Sequence, residues 1–258
     1  MHGIRLEVDS HIVTVATPSL RNLDMALTKA DIRPAHHTVS SLASAEAVLT
    51  RQQKEAGTVL IDIGAGTTNL IVVEDGEVQH IAVIPMGGLH ITHDLAIGLK
   101  TDLDVAEQVK IQHAQLGPAK KATANVQIHG GVTHSFSMDD VLMITEARVE
   151  ELLEYVDKEL HRIRRSRKLP GGVVITGGTA KMAGLAEFAK EKLQLAVRIG
   201  KLQNVTGLVD TVDDVSYTTV VGLMMLDMLL LPEQNHDNAS NGQNAMGMVE
   251  NLLRRFRH

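Results

Sequence analysis

Two apolar periods alternate along the chain. Residues 58–63, 69–73 and 77–84 are short apolar runs set between glycines and the pair Asp75-Gly76, a pattern that predicts strands joined by tight turns. Val149, Leu152, Leu153, Val156, Leu160 and Ile163 instead recur at helical spacing and predict a long amphipathic helix with that face in the core. A hairpin over residues 126–137, around Gly130-Gly131, precedes it. Helices are also predicted over residues 19–30 and 104–114, and residues 170–185 read as strand, double-glycine turn and helix. The basic run Arg162, Arg164, Arg165, Arg167 and Lys168 is expected to close the long helix, where cations favour the negative end of the dipole. It lacks the interleaved aromatics of a nucleic-acid patch and reads as a solvated helix end.

Composition narrows the class. The 258 residues suffice for one large or two modest cores, and the 44% hydrophobic content with only 2% aromatic makes those cores aliphatic. A formal charge of −6 speaks against general nucleic-acid binding. The absence of cysteine excludes disulfides and thiolate metal sites. No stretch approaches the roughly 20 apolar residues of a membrane span, and the polar opening residues 1–7 do not form a signal peptide. Histidine is abundant, yet neither His36-His37 nor the His90/His93 pair belongs to a metal-ligand pattern, and both read as surface or core histidines. No Gly-x-Ser-x-Gly nucleophile turn is present. These features fit a soluble intracellular α/β protein.

Candidate chemistry concentrates at the turn after residue 61. Gly64 and Gly66 allow a tight bend that brings bare N–H groups against anionic oxygens, and Thr67 and Thr68 add hydroxyl donors. Asp62, at the strand end, repels phosphate and is suited to holding Mg2+ beside it through water. A plain hairpin turn explains the glycines but not the acid and paired threonines. A dinucleotide or Walker-type loop would run from its glycines into a helix, whereas here a strand follows. A phosphate-clasping hairpin is the device of the actin-like ATPases, a fold shared with sugar kinases and heat-shock chaperones. In that fold a double-glycine turn such as Gly177-Gly178 lies against adenosine; alone it is ordinary α/β packing. Asp104 and Glu107 resemble a capping pair, and Glu107 and Lys110 share one helix face, either as a solvated ion pair or beside the ribose and purine.

These residues carry a resemblance to the FtsA family of bacterial cell-division proteins. It runs through Asp62-Ile-Gly-Ala-Gly-Thr67, Val83-Ile-Pro-Met-Gly-Gly88 with Thr92-His-Asp94, Ala106-Glu107-Gln-Val-Lys110 and Leu169-Pro-Gly-Gly-Val-Val-Ile-Thr-Gly-Gly178. It continues through Val197-Arg-Ile-Gly200, Asn204-Val-Thr-Gly207 and Val220-Val-Gly-Leu223, covering nearly the whole chain. The resemblance implies ATP and Mg2+ as ligands. Asp62, Gly64, Ala65, Gly66, Thr67 and Thr68 would meet phosphate and Mg2+, Asp62 through water. Glu107 and Lys110 would face the ribose or base, and Gly177 and Gly178 adenosine. No catalytic residue is assigned, and ATP is expected to act as a structural or assembly ligand, with at most weak hydrolysis. Ala65 stands where the family has a middle glycine and Asn69 where it commonly has an acid. Alanine fits if its φ is negative; losing the acid weakens metal or water positioning.

Upstream of Asp62 the family's other phosphate hairpin has no counterpart, so the chain resembles the C-terminal part of such a protein, with half of the nucleotide clamp. The expected division is residues 1–55 as part of a small insert subdomain (1C), including residues 43–46, and 56–231 as the second lobe. Residues 232–247 follow as a polar tether and 248–258 as an amphipathic helix. In that helix Val249, Leu252, Leu253 and Phe256 follow i, i+3, i+4, i+7 spacing, with Arg254, Arg255 and Arg257 around them. Such a segment can lie in an anionic membrane surface without spanning it, or dock on the body. The resemblance implies an adaptor at the cytoplasmic face of the membrane at the division site. It would self-associate into protofilaments, bind the C-terminal peptide of the tubulin-like protein FtsZ and meet other divisome proteins. A pilus-assembly scaffold and an actin-fold ATPase or phosphotransferase are the competing readings.

Overall fold

The computed structural model describes residues 10–119, 121–127, 131–203 and 214–230. The expected membrane-facing residues 249–257 and the tether before them lie outside these. Helix α1 (Thr17–Lys29) starts with Pro18 in its first turn and buries no residue. Helix α2 (Ser40–Val48) is followed by α3 (Arg51–Ala56), which opens with a reciprocal cap: Gln53 N donates to Thr50 Oγ1 and Thr50 N to Gln53 Oε1.

The central sheet follows from the three apolar runs. Strands β1 (Thr58–Ile63), β2 (Thr68–Glu74) and β3 (Glu77–Ile84) form an antiparallel meander. Asp75 and Gly76, at φ 55° and 75°, make the second turn, the positive-φ geometry that Asp-Gly favours. Beyond β3 come α4 (Gly88–Gly98), α5 (Leu103–His113) and the hairpin of β4 (Thr123–Gln127) with β5 (Thr133–Ser137). Helix α6 (Met138–Arg162) then leads to β6 (Val173–Thr176), α7 (Leu185–Leu193), β7 (Val197–Ile199) and α8 (Thr218–Leu230). The sheet order is β3-β2-β1-β6-β7, with β1, β6 and β7 parallel.

Strand parity divides the core. Val59, Ile61, Leu70, Val72, Val173 and Ile175 face one way and share a cluster with Val149, Leu152, Leu153, Val156 and Leu160 of α6, as the helical period predicts. Leu60, Ile71, Val73 and Val174 face the other way, against Ala45, Ala47 and Val48 of α2. Residues 43–46, assigned from sequence to the small insert, thus lie in α2, which packs on β1, β2 and α8. A Cβ at Gly222 of α8 would collide with the Ala43 carbonyl, so these two helices meet backbone to backbone. A similar close approach fastens the chain after α5 to the segment before α7: Leu116 N donates to Ala183 O at 2.8 Å, and a Cβ at Gly184 would strike Leu116 O.

One expectation is corrected here. Helix α6 ends at Arg162, and Arg164 and Arg167 have φ of 60° and 59°, so the basic run is mostly a turn rather than a helix end. Arg165 in that turn reaches Glu74 at 2.7 Å and braces the end of β2, while Arg162 pairs with Glu159. No described helix is long and apolar enough to cross a membrane.

Candidate functional site

The turn between β1 and β2 is gripped from behind. Gly64 N donates to Thr67 O, closing the tip, while Gly64 O accepts from Gly88 N (2.9 Å) and Ala65 O from Leu89 N (2.8 Å). These carbonyls satisfy the opening amides of α4, which have no intrahelical partner. A planar trans peptide that aims its carbonyl at α4 aims its N–H the opposite way. Accordingly, the N–H groups of Ala65 and Gly66 face outward, and among the described residues neither they nor the Thr67 N–H meet an acceptor. Ala65, Gly66 and Thr67 are exposed, and a Cβ at Gly66 would meet nothing within 4 Å. Ala65 is not among the positive-φ residues, so alanine is accommodated there. The tip is therefore a set of bare donors suited to an anion.

Of the two threonines, only Thr67 is free to contribute a hydroxyl. Thr68 is the first residue of β2 and fully buried, and its Oγ1 donates to Met86 O at 2.8 Å. Its proposed role as a hydroxyl donor to phosphate fails on that bond, since a hydroxyl has one proton to give.

Asp62, the penultimate residue of β1, lies on the α2 side of the sheet and is 8% exposed. Its Oδ2 accepts from Thr219 Oγ1 at 2.9 Å and from Ser44 Oγ at 3.2 Å. The second bend lies directly against its other oxygen: a Cβ at Gly177 would stand 2.5 Å from Asp62 Oδ1 and from Ile63 O. Gly177, at φ 88°, is thus required by packing against β1, and its N–H donates to Val215 O. Gly178 differs, because a Cβ there would find Ser216 Oγ at 3.8 Å and otherwise open space. Of the pair, Gly178 is the one with room for a flat ring. Thr179 Oγ1 faces Gly64 O at 3.5 Å, so both glycine bends open on one surface. Lys181 pairs with Asp214 at 2.5 Å, fastening the 214–217 turn beside the second bend.

Glu107 and Lys110 stand at the same surface from α5. Lys110 Nζ donates to Glu107 Oε2 (2.7 Å), Thr92 Oγ1 (2.9 Å) and Gly88 O (3.1 Å), which commits all three of its protons. Thr92 in turn donates to Glu107. Burial pushes the Glu107 carboxyl up, but hydrogen bonds from Lys110 and Thr92 with the Lys110 charge outweigh it, and the group sits below its ordinary value. Lys110 is therefore a brace, and Glu107 is the half-exposed acceptor of the two. The expected capping pair is corrected: Asp102 occupies the cap position without a side-chain bond, and Glu107 is turned toward Thr92 and Lys110. His90 Nδ1 accepts from Gly87 N at the start of α4, and no metal-holding cluster of histidine and acids occurs among the described residues.

The arrangement suits a phosphate ester carrying Mg2+: outward N–H groups for the anion and, beside them, a carboxylate with one oxygen left without a donor. The sequence assigned no site role to Ser44 or Thr219, and Thr92 entered only as part of a family motif. Their partners lie 18, 157 and 15 residues away, a separation no local pattern reports.

Residues 59–222 match the family described as Cell division protein FtsA. The FtsA of Pseudomonas aeruginosa is 36% identical over 229 residues, covering 87% of this chain and 55% of that protein. The Bacillus subtilis FtsA is 39% identical over 228 residues, 87% of this chain and 50% of that protein. The chain thus spans about half the length of these curated relatives. MreB5 of Spiroplasma citri bound to ADP is similar in structure, with a TM-score of 0.67 at 16% identity over 83% of this chain and 66% of that one. The MamK double helical filament gives 0.64 at 18% identity, also over 83% and 66%. The fold is that of the actin-like ATPases, and by sequence this chain belongs to the FtsA family of cell-division proteins.

Proposed function

We propose that this chain supplies one side of an ATP and Mg2+ site, self-associates, and links FtsZ to the cytoplasmic face of the membrane at the division site. The observation that carries the nucleotide reading is the outward N–H groups of Ala65 and Gly66, with the unpaired Thr67 N–H, on the turn that follows Asp62, whose Oδ1 meets no described donor. Those amides would receive phosphate oxygens, and Glu107 would accept from a ribose hydroxyl. Gly178 would leave space for the base. Mg2+, when bound, would supply positive charge to offset that of the phosphates. Asp62 would hold it through water, with the Oδ1 that no described donor meets. In this reading the nucleotide favours one arrangement of the protein over another and so tilts assembly. Support for membrane and FtsZ contact comes from family membership, together with the apolar and basic spacing of Val249, Leu252, Leu253, Phe256, Arg254, Arg255 and Arg257.

Titration of the chain with ATP tests the reading. Weak binding that depends on Mg2+ and loses that dependence in Asp62→Asn is the expected result, whereas no binding with or without metal would overturn it. Submicromolar affinity would contradict the half-site. Deletion of residues 247–258 is expected to abolish co-sedimentation with anionic liposomes; unchanged co-sedimentation removes the membrane assignment.

A further inference from the structure

Asp62 is tied into a polar trio that the ligand contacts alone do not require. Parity places it on the same face of β1 as Leu60, under α2 and α8. Both hydroxyls reach a single oxygen, Oδ2, and the hydroxyls stand 2.8 Å from each other. Three contacts share two protons, so at any moment two of the three are hydrogen bonds. Whichever way the protons lie, at least one hydroxyl still donates to Oδ2. Among the described residues no donor meets Oδ1. The carboxylate is consequently pinned at one oxygen and open at the other, and the open oxygen is the one beside the second glycine bend.

The anchors themselves have little freedom. Ser44 belongs to α2 and Thr219 to α8, and these helices touch backbone to backbone where Gly222 meets Ala43. Ser44 is fully buried. Thr176, the register neighbour of Asp62 on β6, is also fully buried, and its hydroxyl has no partner among the described residues. An orphaned buried hydroxyl is a cost that ordered water or an ion's hydration shell relieves.

We infer that Ser44 and Thr219 are positioning residues that hold the Asp62 carboxylate for a hydrated divalent cation, making the site prefer metal-bound over metal-free nucleotide. The inference rests on the nucleotide reading above. Groups that orient a metal-holding carboxylate act on metal affinity while leaving the anion's own contacts in place. The backbone donors at residues 65–67 are not part of the trio, so metal-free ATP should not sense its loss.

The test uses the full chain and compares ATP affinity in Mg2+ with that in EDTA for the wild type, Ser44→Ala, Thr219→Val, Thr219→Ser and Asp62→Asn. Broadening of the Ile63 and Gly64 amide resonances by Mn2+ in the presence of ATP gives a second readout. Ser44→Ala and Thr219→Val are expected to lower the ratio of the two affinities by about tenfold, approaching Asp62→Asn, with EDTA affinity unchanged. The Mn2+ broadening should weaken in parallel. Thr219→Ser, which keeps the hydroxyl, should retain the wild-type ratio. Thr219→Val preserves shape and Ser44→Ala removes one atom, so if one fails to fold the other decides. The inference is overturned if the ratio survives in both while Asp62→Asn loses it, or if both conditions weaken equally. A wild type that binds ATP but ignores Mg2+ and matches Asp62→Asn removes the metal role of Asp62, and the inference with it, whereas no ATP binding in either condition removes the nucleotide reading itself.

Discussion

The two faces of the central sheet are covered in opposite ways. On one, a single 25-residue helix lays Leu152, Leu153, Val156 and Leu160 onto Val59, Ile61, Val72 and Ile175. On the other, the short α2 and α8 approach so closely that Gly222 meets the Ala43 backbone, and a hydroxyl pair, Ser44 and Thr219, bonds across them. Large side chains fill volume, and they exchange for others of similar size at modest cost. Small residues bring backbones together, and their tolerance is set by a carbonyl that cannot rotate away. The candidate site is attached to the second face, through Asp62.

The contrast can be broken from either side. Leu153→Ala should cost the most, about 2–5 kcal/mol in denaturant unfolding, because it opens a cavity in the thicker layer. Next come paired substitutions that reverse the usual intuition about size. Gly222→Ala adds one methyl and should cost about 1–3 kcal/mol, more than Leu153→Met, which stays below about 1.5 kcal/mol. Equal costs for the two would show that α2 and α8 can separate freely, and the contrast would be lost.

The smallest effect lies at the turn that leads into α8. The hydrogen bond from Lys181, with those from Ser216, holds the Asp214 carboxyl at about 2, below its ordinary value. Because the folded value is the depressed one, any stabilisation is present above pH 4 or so and is lost as pH falls through about 2. Both partners are exposed, so salt screens the pair. A carboxyl titration by NMR should find the Asp214 midpoint near 2 in the wild type and close to the ordinary aspartate range in Lys181→Met. A midpoint unmoved by that change would assign the depression to Ser216.

Much of the fold was legible because its signals are local. Asp75-Gly76 turns the chain with two positive φ angles, and the period from Val149 to Leu160 places α6 on its sheet face. The glycine bends were legible as sequence, and the antiparallel β1–β2 pairing kept the first of them a hairpin rather than a helix start. The use of each hydroxyl was not legible. Thr67 and Thr68 are adjacent and chemically identical, yet strand parity sends one to solvent and buries the other against Met86 O. The pairing of Asp62 with Ser44 and Thr219 depends on two helices meeting over the sheet, a tertiary fact. The basic run was misread for a related reason: positive φ at Arg164 and Arg167 ends a helix that charge alone would extend.

The seam at Leu116 and Gly184 has a mechanical consequence. With carbonyl against glycine and an amide bonded to Ala183, there is no side chain to absorb a shift. The chain leaving α5 is therefore clamped to the segment that follows the second glycine bend, while α4 is held to the first bend by its own opening amides. The two glycine bends are thus strapped to α4 and α5 at both ends, one through Gly88 and Leu89 and the other through Leu116.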